Sequence, residues 1–261
     1  MREQFKDAKP VQQWVSTGRL QSSCSKSVGY RYLITAAANG SGFIDALFSR
    51  GMANSVESVS AITPRLLQAL KDDDFAPERF EYVERLHTNN LYNSDRLVHG
   101  AYISFRDYDM WNAWFRIWAI GVGLGDLRLA SIYRRYRRSH DESLLPDNNE
   151  PMGLFYSNHL GFKKLFDAAY AEAAAVDAGQ LSPKVAAERI FKLVGAADFT
   201  PPANRLGDPA VKCVNVGKPV TMLKTIAWVL GSAPPEIRKL SLSTVSDLNP
   251  FKARKPASSG A

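Results

Sequence analysis

The sequence predicts a mainly α-helical protein with a small β segment at its N-terminus. Three observations carry that prediction. Apolar residues change from a strand-like to a helical period near residue 52. Proline-bearing start signals recur ahead of apolar runs, at Asp74–Pro77, at Ser182-Pro183 and at Pro219. The β-like runs gather before residue 36.

Taken in order, Val11 to Val15, Arg19 to Ser25 and Tyr30 to Thr35 read as short strands, divided by Thr17-Gly18 and Val28-Gly29. The loop Gly42-Phe43-Ile44-Asp45-Ala46-Leu47-Phe48-Ser49-Arg50-Gly51 follows, and a helix opens near Met52. A strand, a glycine-bearing loop and a helix start place backbone N–H groups where they can meet an anion or a carbonyl oxygen. In the helix, Val56, Val59, Leu66, Leu67 and Leu70 keep to one face, and Pro64 is expected to kink or divide it. Asp74-Phe75-Ala76-Pro77 starts the next helix, which carries Phe80, Val83, Leu86, Leu91, Leu97 and Val98 to about Phe105. Trp111, Trp114, Phe115 and Trp118 then stand at i, i+3, i+4 and i+7 on one helix face, the pattern of a core stripe. Residues 139 to 158 are polar and turn-rich and read as a loop. Leu160 to Ala178 is helical. Ser182 caps another helix with Pro183 at its first position, and Val185, Ile190, Leu193 and Val194 line its buried face. Pro219 to Leu230 forms one more helix, ended by Pro234-Pro235, and 246–261 reads as a flexible tail.

Composition narrows the function. A hydrophobic fraction of 45% and a charged fraction of 23% are those of a globular protein. No uninterrupted apolar run of about 18 residues is present, so no membrane span is expected. The mixed charges of Met1 to Asp7 lack an apolar signal core, so a cytoplasmic location is the expectation. Cys24 and Cys213 form neither a disulfide framework nor a metal cluster. The net charge of +7 is partly local, in Arg134, Arg135, Arg137 and Arg138 and in Lys252, Arg254 and Lys255. These read as a solvated helix end and a tail rather than a nucleic-acid surface. Gly121, Gly123 and Gly125 follow an aromatic helix and not a strand, so they mark a helix end or a close packing point. No G-x-G-x-x-G and no Walker loop occurs, and His87, His99, His140 and His159 are too scattered to form a catalytic set.

Thr17-Gly18-Arg19-Leu20-Gln21, the strand Tyr30 to Ile34 and the loop Gly42 to Gly51 resemble the late part of the flavin-dependent halogenases and related FAD monooxygenases. Phe105 to Tyr108 and Trp111 to Trp118 are similar to the helical C-terminal region of that group. The resemblance covers most of residues 10 to 200. It implies that residues 1–51 are the last strands and flavin-facing loop of an FAD-binding domain, and that 52–245 form a helical C-terminal domain ahead of the tail 246–261. Gly42, Asp45, Ser49, Arg50, Gly51 and Met52 are the implied cofactor-binding residues. The amides near Ser49 to Met52 would face the N1–C2=O edge of the flavin, and Gly51 allows the backbone to come close. Where the family carries a Gly-Asp pair, this chain reads Thr35-Ala36-Ala37-Ala38.

The implied function is the C-terminal part of an FAD-dependent oxidoreductase, in which reduced flavin and O₂ act on a small organic substrate. With the N-terminal FAD fingerprint missing, the chain is expected to be inactive and to bind FAD weakly or not at all alone. No catalytic or metal-binding residue is assigned. The implied partners are a separate N-terminal FAD-binding half or a flavin reductase. Two further readings stay open: a non-enzymatic helical interaction module derived from such an enzyme, acting through Arg134 to Arg138, and one half of a split flavoenzyme.

Overall fold

A computed structural model of the chain describes residues 47–48, 50–140, 159–215 and 217–245. Among these residues the ordered elements are helical. They are α1 (Arg50–Asp72), a 3-10 turn (Pro77–Phe80), α2 (Glu81–Ser104), α3 (Tyr108–Ser139), α4 (Leu160–Asp177), α5 (Pro183–Gly195), a 3-10 turn (Pro202–Asn204), α6 (Pro219–Gly231) and α7 (Pro235–Val245). The protein is therefore mainly α, as its periodicity predicts. The expected β segment, most of the loop Gly42 to Gly51, the 141–158 stretch and the tail lie outside the described residues.

The bundle is built around α3, which packs against α2, α4, α5 and α7, while α1 lies on α2. Local chemistry fixes where α3 begins and ends. Asp107 caps it, its carboxylate accepting the Met110 N–H at 2.9 Å. His140 ends it in the left-handed region (φ 50°), donating its N–H to the Tyr136 carbonyl. Arg137 and Arg138 complement the negative end of the same helix.

Met110, Ala113, Trp114 and Ile117 of α3 meet Leu97 and Ala101 of α2, Phe162 and Phe166 of α4, Ile190 and Val194 of α5 and Ile237 of α7. Burying each larger side chain contributes roughly 1.5–3 kcal/mol. Trp114 sits deepest, with its indole N–H donated to the Leu97 carbonyl at 3.0 Å. Its ring lies so close over Gly100 that a Cβ there would stand 2.2 Å from it.

Two arginines tie the periphery to this core. Arg116 is buried on α3, stacks over Phe191 at 4.8 Å and donates to the carbonyls of Leu206, Asp208 and Val211. It thereby holds the 205–211 loop, and burial lowers its pKa against the opposing charge of Asp208. Arg96 on α2 pairs with Asp167 on α4 at 2.7 Å and lies over Tyr170 at 4.5 Å.

Several expectations are corrected. Of the two outcomes expected at Pro64, a kink or a division, the second does not occur, because α1 runs through it; Thr63 Oγ1 and Arg65 donate to the Val59 and Ala61 carbonyls on either side of the missing bond. Val56, Val59, Leu67 and Leu70 do share a face, but that face is exposed, and Ala61 and Ala69 are buried instead. Gly121, Gly123 and Gly125 lie inside α3, which excludes the helix-end reading; Gly121 and Gly125 are buried, in keeping with the packing-point reading, whereas Gly123 is open. Val185 is exposed although Ile190 and Val194 are buried as expected. The helix from Pro219 ends at Gly231, ahead of Pro234-Pro235 as expected, and Pro235 then opens a further helix, α7. Ser182 caps α5 as its sequence predicts, accepting from the Val185 N–H.

Candidate functional site

Of the sequence-assigned residues, those described stand at the N-terminal end of α1. Gly42, Asp45 and Ser49 lie outside the described residues. Arg50, Gly51 and Met52 form the first turn of α1. The first amides of a helix have no partner within it, so this turn presents N–H donors at the positive end of the helix dipole. No acidic side chain stands in that first turn to neutralise it.

Just ahead of this end Phe48, a residue the sequence reading did not single out, packs against α3. Its side chain is 7% exposed. Its ring stacks on Trp118 at 5.6 Å and 27° and on Trp111 at 6.3 Å and 28°. The signal was available in principle: an aromatic residue just ahead of the helix start and a Trp-rich stripe elsewhere both call for partners.

The aromatic stripe of α3 therefore serves two neighbours. Trp114 turns into the core beside Phe166 and Tyr170. Trp111, Phe115 and Trp118 form a wall facing Phe48, with Phe115–Trp118 at 4.9 Å and Trp111–Phe115 at 5.6 Å. Phe105 extends it at 4.8 Å from Trp111, and Tyr102 reaches Phe105 at 5.6 Å. Phe115, Phe105 and Tyr102 are exposed, so the row runs from a covered end at Phe48 to an open one. The buried Nε1 of Trp118 has no hydrogen-bond partner among the described residues, a donor whose burial costs about 1–3 kcal/mol. A run of ring faces beside a helix N-terminus can hold a planar conjugated group and stabilise negative charge on its edge.

Elsewhere the polar groups serve packing. His159 caps α4, its Nδ1 accepting the Phe162 N–H at 3.0 Å, with its ring against Phe199. His99 shares a 2.8 Å hydrogen bond with the Tyr170 hydroxyl. Burial lowers the pKa of His87. No group of three metal-ligating side chains is found among the described residues, and Cys213 is exposed. No helix among them is long and apolar enough to cross a membrane.

Comparison with known proteins points to one group. The chain is 40% identical over 248 residues to monodechloroaminopyrrolnitrin halogenase PrnC of Pseudomonas fluorescens, covering 90% of this chain and 43% of that protein. It is 37% identical over 259 residues to the tetracycline 7-halogenase of Kitasatospora aureofaciens, covering 98% of this chain and 46% of that protein. The chain thus spans somewhat less than half the length of these relatives. Its fold is like that of halogenase PltM crystallised with phloroglucinol and FAD, at a TM-score of 0.62 and 24% identity over 68% of this chain and 36% of that one. No protein-family model matches the sequence. Over the part of those relatives that it spans, the chain is a homologue of the flavin-dependent halogenases, and that coverage fits a C-terminal portion of them.

Proposed function

We propose that this chain supplies the helical half of a flavin site in a halogenase-like oxidoreductase acting on a small organic substrate. The observation that carries the reading is the meeting of the α1 N-terminus with the Trp111–Phe115–Trp118 wall through Phe48. Bound FAD, once reduced, would supply the electrons for O₂ chemistry on the substrate. The chain's own contribution is electrostatic and steric. The amides of Arg50, Gly51 and Met52 face the edge where a reduced flavin gathers negative charge, and Gly42, Asp45 and Ser49 complete the loop. The lack of an acidic side chain in the first turn of α1 fits an anionic neighbour. The aromatic wall limits water and orients a planar group.

Two features support an incomplete site. Val56, Val59, Leu67 and Leu70 of α1 and Val220, Leu223, Ile226 and Leu230 of α6 form apolar faces left exposed among the described residues. The sequence also has no dinucleotide fingerprint to hold the pyrophosphate of FAD. FAD titrated into the purified chain, oxidised and then reduced, is expected to bind weakly, with the reduced form favoured. Tight stoichiometric binding would overturn the half-site reading, and equal affinity for both forms would overturn the charge argument.

A further inference from the structure

We propose that the open face of α1, from Val56 to Leu70, is a docking surface, and that its occupant is a dinucleotide-binding polypeptide equivalent to the part of the halogenase relatives outside their match to this chain. The proposal rests on the half-site reading above and names the partner of that site.

The face is built the wrong way round for solvent. A surface helix ordinarily turns its charges to water and its apolar stripe to a neighbour. Between Val56 and Leu70 the charged residues of α1 are Glu57 and Arg65, and both are turned to α2. Asn90 donates to Glu57 at 2.6 Å, and the Arg65 guanidinium lies over the Tyr82 ring at 4.3 Å. Val56, Val59, Leu67 and Leu70 are each more than half exposed, and no exposed position between them carries a charge. Exposed charge begins at Lys71, Asp72 and Asp73, at the end of the stripe. A single exposed leucine needs no explanation, but a continuous uncharged stripe with a charged rim is the anatomy of an interface.

The length of the stripe and the content of the chain choose the occupant. From Val56 to Leu70 the helix runs about 21 Å at about 1.5 Å per residue. That length crosses roughly four strands of a sheet, at about 4.8 Å each. A parallel dinucleotide-binding sheet needs helices over both of its apolar faces. This chain has no dinucleotide fingerprint of its own, and more than half the length of the two halogenase relatives lies outside their match to it. α1 also begins with the turn Arg50 to Met52, so a sheet laid along its open face runs beside the turn assigned to the flavin edge. The open face of α6 is shorter and begins no such turn.

The test co-expresses this chain with the segment of the Pseudomonas fluorescens halogenase PrnC that lies outside their match, with an affinity tag on that segment. The two should co-purify one to one. Val59→Arg with Leu67→Arg should weaken the complex by about ten-fold or more, because charges enter the centre of the interface. The same pair should leave the Tm of the chain alone within about 2 °C, because the face is open there. Val59→Ile with Leu67→Met should keep the complex, and Leu223→Glu with Leu230→Lys on α6 should leave it unchanged. Failure to co-purify, through insolubility or otherwise, overturns the docking surface and leaves the flavin reading to the titration above. Full retention by the arginine variant, or loss in the α6 variant, overturns it as well. So does a lower Tm of the arginine variant alone, which would mean that this chain already covers the face. Sedimentation showing a wild-type dimer that the arginine pair dissociates would assign the face to a second copy and overturn it too. A complex that holds FAD supports both readings, whereas a complex that holds none keeps the docking surface and overturns the flavin reading.

Discussion

Replacing Gly100 by Ala sets two effects of opposite sign against each other, and the structure decides which wins. Gly100 lies inside α2, where Ala is favoured over Gly by about 1 kcal/mol. Against this, the new Cβ would stand 2.2, 2.5 and 2.6 Å from three atoms of the six-membered ring of Trp114. A relaxed carbon–carbon contact is about 3.5 Å, so the indole must retreat by roughly an ångström. Trp114 is fully buried, lies beside Phe166 and Tyr170, and donates to the Leu97 carbonyl at 3.0 Å. Overpacking costs about 1–3 kcal/mol, and a stranded indole N–H about 1–3 kcal/mol more. After the gain in helix propensity, Gly100→Ala should destabilise the chain by about 3 kcal/mol. For a domain of this size that lowers Tm by about 6–12 °C. Urea unfolding measures it directly. Trp114→Phe removes the clashing atoms, so the double variant should recover about 1–3 kcal/mol of coupling relative to the sum of the single changes. A neutral or stabilising Gly100→Ala, or an additive cycle, would refute the reasoning.

Gly123→Ala is the counterpart: no atom lies within 4 Å of its added Cβ, so thermal melting should show a gain of about 1 kcal/mol. Arg116→Met strips the carbonyls of Leu206, Asp208 and Val211 of their donor and should cost about 3 kcal/mol, with Arg116→Lys intermediate; amide exchange should rise across 205–211 in both. Burial alone would raise the pKa of Asp167, but hydrogen bonds and charge from Lys163 and Arg96 outweigh it and hold the carboxyl below its ordinary value. Its contribution is therefore present above that ordinary value, near pH 4, and fades as pH falls further. Asp167→Asn should flatten the acid limb of a stability–pH profile, and a parallel offset at every pH would contradict the assignment. Leu223→Glu with Leu230→Lys on the open face of α6 should raise solubility in a precipitation assay while leaving Tm within about 2 °C.

The elements legible in the sequence were those whose signals are local. Ser182-Pro183 marks the start of α5 because an N-cap hydroxyl and a missing N–H both act within one turn. The alanine-rich run predicted from Leu160 to Ala178 is α4 almost to the residue. Ambiguity remained where the same local signal has two meanings. Pro234-Pro235 follows the end of α6 at Gly231 as expected, but Pro235 lacks an N–H that a first helical position does not need, so it also opens α7, a helix the sequence reading did not delimit. A glycine triplet after an aromatic run reads as a helix end or as a packing point; α3 continues through it with Gly121 and Gly125 buried, which removes the first reading and keeps the second. Of the candidate site, the sequence named the turn Arg50 to Met52 but could not supply Phe48's partners, which lie some sixty residues on in α3.

Inside and outside were the hardest features to read, and α1 and α6 show why. Periodicity reveals that a helix has an apolar stripe; it says nothing of which neighbour takes it. In α1 the buried hydrophobes are Ala61, which packs with Tyr82, Val83 and Leu86 of α2, and Ala69, while Val56, Val59, Leu67 and Leu70 are exposed. In α6, Val229 is the buried hydrophobe, and Val220, Leu223, Ile226 and Leu230 remain open. A rule that places the larger hydrophobes inside therefore inverts α1, and in α6 it holds for Trp228, which packs on the core, but fails for Leu223, Ile226 and Leu230. The same ambiguity runs through the aromatic stripe of α3, where Trp114 closes the core and its neighbours at 111, 115 and 118 build the wall against Phe48. One helical turn separates a residue that stabilises the bundle from one that shapes the site, and only the partner across the gap tells them apart.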